Sequence, residues 1–196
     1  MTRIAGDSTT YTDIPLTVQV AMTYATGSYA VAEAAVEARF PRAKYGWARI
    51  DTTGAGAAVA SVRDWETGDK AGSLEQWVID HNKASGRKDA VVYCNRSTVP
   101  EVRVKTGSQV LGQDYFLFVA SLDGTVVTGP GIVACQVKGA NLTGGHWDES
   151  LVFSTALWLP VTPPAPVPPK PPVPSALKGE FEAWLAQGVG LIGKMS

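Results

Sequence analysis

Ahead of its proline-rich end, the chain repeats one event: a short apolar, β-rich run that closes on a polar or small residue. Eight such runs stand out: "TRIAGDS", "LTVQVAMTYATG", "YGWARIDTTG", "AAVASVRDWE", "DAVVYCN", "DYFLFVAS", "GIVACQV" and "ESLVFSTALW". Helical spacing shows in "YAVAEAAVEARF", which ends at Pro41, and in "SLEQWVIDHNKASG", which opens on a capping box from Ser73 to Gln76 and closes at Gly86. Strands alternating with helices favour a largely parallel sheet, and eight strands favour closure into a barrel. A full barrel with eight helices takes roughly 250 residues, and only about 160 are available here. Several crossovers must therefore be loops, those after the first and third strands among them. A doubly wound open sheet competes, but no Gly-rich phosphate loop follows the first strand. The expected fold is α/β: a reduced (β/α) TIM-like barrel over residues 1–159, with several crossover helices missing.

The end of the chain has a different character. Nine of the 13 prolines fall in "PVTPPAPVPPKPPVP", residues 160–174. Fixed φ and few donors predict an extended polyproline II linker, at ~3.1 Å per residue. Residues 175–196 follow, with Ser175 as N-cap and Leu177, Phe181, Trp184, Leu185 and Ile192 near one helical face. This pattern predicts an amphipathic docking helix whose Phe181, Trp184 and Leu185 meet a protein partner or a second copy of the chain.

Composition narrows the function classes. A net charge of -1, with no basic cluster, argues against nucleic acid as a partner. The N-terminal "MTRIAGDSTT" lacks the pattern of a signal peptide, and no run approaches the roughly 20 apolar residues of a transmembrane segment. Cys94 and Cys135 lie in separate apolar runs and are expected as buried free thiols. His81 and His146 are far apart without companion ligands, so no metal and no cofactor is expected.

In a parallel barrel, chemistry collects where the strands end. Asp7 ends the first strand, Asp51 the third, and Asp64 with Glu66 the fourth; Asp148 and Glu149 precede the last. Residues i and i+2 of a strand share a face, which puts Asp64 and Glu66 side by side, about 6–7 Å apart at Cα. Neighbouring acids cannot ionise independently, and glycoside cleavage uses that split between a proton donor and an anion. Tyr24, Trp47, Trp65, Tyr93 and Trp147 lie in or beside the same strands and are candidate substrate-binding rings, since aromatics with polar handles suit sugar surfaces. Asp69 and Asp123, beside glycines, read as turns.

Taken in order, "GDS", "RDWETGD", "AVVYCNRSTVPEV", "YFLFVAS", "IVACQV" and "GGHWDES" resemble the lysozyme-like glycoside hydrolase family 25 barrels, and most nearly their small relatives in actinobacteria and their phages. The resemblance spans roughly residues 3 to 158, and the D-x-E motif is its most specific part. It implies a muramidase-like site for peptidoglycan. Glu66 would be the general acid, Asp64 would orient the N-acetyl group in a substrate-assisted mechanism, and Asp7 and Asp148 would line the cleft. With the tether, it implies a virion-associated structural module, either a capsid decoration or a minor tail protein, that displays the barrel and binds cell-surface glycan. The alternative is an active peptidoglycan muramidase.

Overall fold

The computed structural model describes residues 2–66, 68, 70–121, 123–139 and 146–154. The expected linker 160–174 and docking helix 175–196, with Phe181, Trp184 and Leu185, lie outside these residues, as does Asp69.

Eight strands close into one barrel in chain order: β1 (Arg3–Asp7), β2 (Val20–Tyr24), β3 (Gly46–Asp51), β4 (Val62–Asp64), β5 (Ala90–Asn95), β6 (Tyr115–Ala120), β7 (Ile132–Lys138) and β8 (Asp148–Val152). Neighbours from β1 to β7 pair in parallel, whereas β8 is antiparallel to both β7 and β1. The sheet is therefore mixed at its seam. The reversal has a consequence for chemistry. It brings the start of β8, not its end, to the rim where the other strands finish.

Among the described residues, three short α-helices pack on the outside: α1 (Glu33–Arg39), α2 (Leu74–Ser85) and α3 (Val99–Lys105). In α2 the Ser73 hydroxyl accepts from the Gln76 amide at 3.2 Å, and Gly86 closes the helix at φ +68°, where a side chain would be strained. The sequence pattern does not predict α3. Its periodicity is too short to register, and Pro100, which looks like a breaker, sits in the first turn, where the missing N–H costs nothing. β4 is shorter than its apolar run predicts, because Gly56–Ala60 forms a turn in which Val59 and Ala60 both bond back to the Gly56 carbonyl.

Alternation along the strands divides the core into an inside and an outside. Ala5, Val20, Met22, Ala48, Ile50, Val62, Val91, Phe118, Ala134 and Val152 fill the barrel. The residues between them face the helices. Leu74, Trp77 and Val78 of α2 and Val102 of α3 cover Val92, Cys94, Leu117 and Val119, while Val36 of α1, with Phe40 just beyond it, covers Ala21 and Trp47. Cys94 and Cys135 are buried free thiols, and burial pushes Cys94 up to about 12, which leaves it protonated and unreactive. No helix among the described residues is long and apolar enough to cross a membrane.

Candidate functional site

Inward alternation continues to the strand ends, and there the filling changes from apolar to polar. Asp7 follows Ala5, Tyr24 follows Met22, Asp64 follows Val62, Tyr93 follows Val91, and Gln136 follows Ala134. With Glu66 and Asp148, these side chains converge on one end of the barrel. Asp7, Tyr24, Ile50, Asp64, Glu66, Tyr93, Phe118 and Asp148 line a single cavity of about 70 Å³. That volume suits the reacting groups of a bound ligand rather than a whole ring, so it forms the floor of a site and not its full extent.

The register of the seam explains the closest pair of acids. Asp7 lies directly opposite Asp148 across the antiparallel β1–β8 ladder, where side chains meet and like charges repel. The two carboxyls resolve this by sharing a hydrogen bond, which requires a proton on one of them. Burial pushes Asp7 well above the usual carboxylate range, and the charges of Asp148, Asp64 and Glu66 raise it further. Asp7 is 7% exposed, so water does little to relieve either effect. The same four acids, after burial, hold the phenols of Tyr24 and Tyr93 far above their ordinary range. Both phenols stay neutral donors, and that of Tyr93 donates to Gln136 Oε1 at 2.5 Å. The Phe118 ring, edge-on to Tyr93 at 4.8 Å between centroids, braces it from β6.

Two buried contacts position the acids. The Arg63 guanidinium, 1% exposed, donates to the backbone carbonyls of Asp51 at 2.8 Å, Asp64 at 2.6 Å and Ala71 at 3.0 Å. It thereby ties the end of β3 to the end of β4 and holds the strand end that carries Asp64. At the seam, the Ser8 hydroxyl donates to the His146 carbonyl at 2.5 Å, which fixes the approach to Asp148.

The aromatic candidates divide. Tyr24 and Tyr93 line the cavity, but three tryptophans do not. Trp65 is out of phase with the acids that flank it and packs under α2 and α3, its indole donating to Glu101 Oε1 at 3.2 Å. Trp47 alternates with inward Ala48 and so faces α1, with its N–H on the Phe40 carbonyl at 2.7 Å. Trp147 lies over the outer face of β1, where a Cβ on Gly6 would come within 2.9 Å of its ring. Glycine at position 6 is the space this indole occupies. Asp51 also leaves the site: it points outward into a loop of its own.

Two further residues belong to the site. Gln136 was recoverable from inward alternation on β7. Tyr29, 51% exposed and edge-on to Tyr24 at 5.6 Å, offers an open ring beside the cavity; it sits in a loop, where no periodicity marks it. Comparisons with family models, with curated proteins and with solved structures return no match, so function has to be inferred from the residues at the barrel mouth.

Proposed function

We propose that the chain is a glycoside hydrolase of the muramidase kind, built on a reduced (β/α) barrel and acting on the amino-sugar backbone of peptidoglycan. One observation carries the reading: Asp7, Asp64, Glu66 and Asp148 meet in one cavity that, among the described residues, no tryptophan lines. Asp64 and Glu66 come from one strand end, while Asp7 and Asp148 come from the seam. Such a cluster holds protons and anions side by side, the division that glycoside cleavage requires.

In this reading Glu66 protonates the leaving glycosidic oxygen. Asp64 orients the substrate's N-acetyl group, whose carbonyl oxygen attacks the anomeric carbon from the opposite side. The pair Asp7–Asp148, joined by its shared proton, avoids placing two full charges beside that anion. The neutral phenol of Tyr24 is a further donor, and Tyr29 gives a sugar face somewhere to rest. Replacing Glu66 by Gln keeps the shape and removes the transferable proton. Release of reducing sugar from cell wall should fall by about 100-fold or more, with thermal unfolding unchanged. A wild-type chain inert on several walls overturns the reading.

A second reading concerns placement. The proline-rich residues 160–174 and the amphipathic pattern of 175–196 support a barrel displayed from a phage particle, as a capsid decoration or minor tail component. Deleting 160–196 should release the barrel from its particle without unfolding it; co-purification of the truncated barrel with particles contradicts this.

A further inference from the structure

Beside the acidic cavity lies a much larger one, of about 610 Å³, lined by Asn95, Arg96, Ser97, Ala120, Ser121 and Asp123. Both draw on the ends of β5 and β6. Asn95 follows Tyr93 on the inward face of β5, and Ala120 follows Phe118 on the inward face of β6. This second groove is of the size that holds a ligand, unlike the cavity over the acids.

Its chemistry differs from that of a sugar platform. Among the described residues it has no aromatic ring on which a pyranose could stack. It has instead one exposed guanidinium and one exposed carboxylate. Asp123 is held in place by the Ser121 hydroxyl and the Thr125 amide, each at 2.8 Å. Those bonds, more than the charge of Arg96, keep Asp123 below the usual carboxylate range. Arg96 and Asp123 thus lie within electrostatic reach, yet no ion pair between them is present among the described residues. A groove with separated charges of both signs, an amide and a hydroxyl matches a ligand that is itself a zwitterion. A guanidinium fork pairs best with a planar carboxylate, and an anchored carboxylate pairs with an ammonium.

We propose that this groove binds the peptide arm of the substrate, a short peptide with a free carboxylate and a free amino group, while the glycan lies over Tyr24 and Tyr29 on the opposite side of the acids. The assignment rests on the glycan reading above and names the part of the substrate that the β5–β6 side recognises. The glycan bond to be cut then sits between two anchors, an aromatic one and an ionic one.

The test compares three probes on the full chain: glycan fragments stripped of peptide, the same fragments with their peptides intact, and the free peptide. Wild type should favour the peptide-bearing fragments by about tenfold, the scale of one charge-assisted hydrogen bond, and Arg96→Met should erase that preference. An equal preference in both proteins overturns the proposal. Arg96 is exposed, so the substitution leaves the fold intact. As an independent measurement, free peptide should shift the backbone amide resonances of Asn95, Ser97 and Ser121; shifts confined elsewhere, or none, also overturn it. The outcomes separate the two claims. Peptide at the groove with no binding of stripped glycan removes the hydrolase reading and keeps the groove. Cleavage of stripped glycan with no peptide binding does the reverse.

Discussion

Asp7 and Asp51 each end a strand at the same rim of the barrel, and both are nearly sealed from water, at 7% and 0% exposure. Their surroundings are opposite. Asp51 points outward and collects six donors: the hydroxyls of Thr26 (2.5 Å) and Thr53 (2.9 Å), the amides of Thr53 (2.9 Å), Gly54 (3.1 Å) and Gly56 (2.8 Å), and the Trp77 indole (2.7 Å). Burial alone would raise its pKa, but these bonds prevail and hold it below the ordinary range. Asp7 points inward, where burial raises it most and the acids it finds raise it further, so it holds its proton above the usual carboxylate range. One carboxylate is a structural anion around which a loop folds. The other is an acid held under electrostatic pressure. The difference teaches that burial alone does not fix charge state: it raises both carboxyls, and the donors and acceptors within reach decide whether that rise stands.

The contrast predicts opposite signs for the same substitution. Asp51→Asn places an NH₂ against N–H donors and leaves several of them without an acceptor. We expect a loss of about 3 kcal/mol, seen as a fall in Tm of about 6–12 °C. A loss below 1 kcal/mol would mean that the loop does not depend on the anion. Asp7→Asn keeps a donor toward Asp148 and removes a group that resists ionisation. It should raise stability at neutral pH by about 1 kcal/mol, or a few degrees in Tm, while lowering turnover.

The pH dependence follows from the same signs. Asp7 is raised in the folded state, so from about pH 4 upward the unfolded chain loses this proton first. Stability therefore declines as pH rises toward the folded value, and Asp7→Asn should flatten that limb of a Tm-versus-pH curve. Asp51 and Asp89 act on the other limb. Burial would raise Asp89, but bonds from His81 and Arg87 bring it down to about 2. Their contribution is present above about pH 4 and is lost as pH falls below it. An acid limb unchanged in Asp51→Asn would contradict the role assigned to that carboxylate.

The sequence revealed the number of strands, the closure and the four acids, because strand length and strand-end polarity are local properties. It did not reveal which face of each strand is inside. Where helices cover the outside, both faces are apolar, so composition is silent and only phase remains. Phase was informative where one member could be anchored. Trp65 lies between two acids and cannot share their face; Trp47 and Asp51 are both out of step with Ala48 and Ile50. The reversal of β8 depends on pairing across the whole chain, and the place of Trp147 depends on a missing side chain at Gly6. Neither leaves a local trace.

The central claim is that the acids at the barrel mouth share protons while the equally buried acid outside does not. Carboxyl ¹³C resonances followed through a pH titration test it directly. Asp7 should remain protonated at pH values where Asp51 is fully ionised, and its titration should move when Asp148 is replaced by Asn. If Asp7 and Asp51 lose their protons together near pH 4, the cluster is not a proton-sharing site and the catalytic reading falls with it.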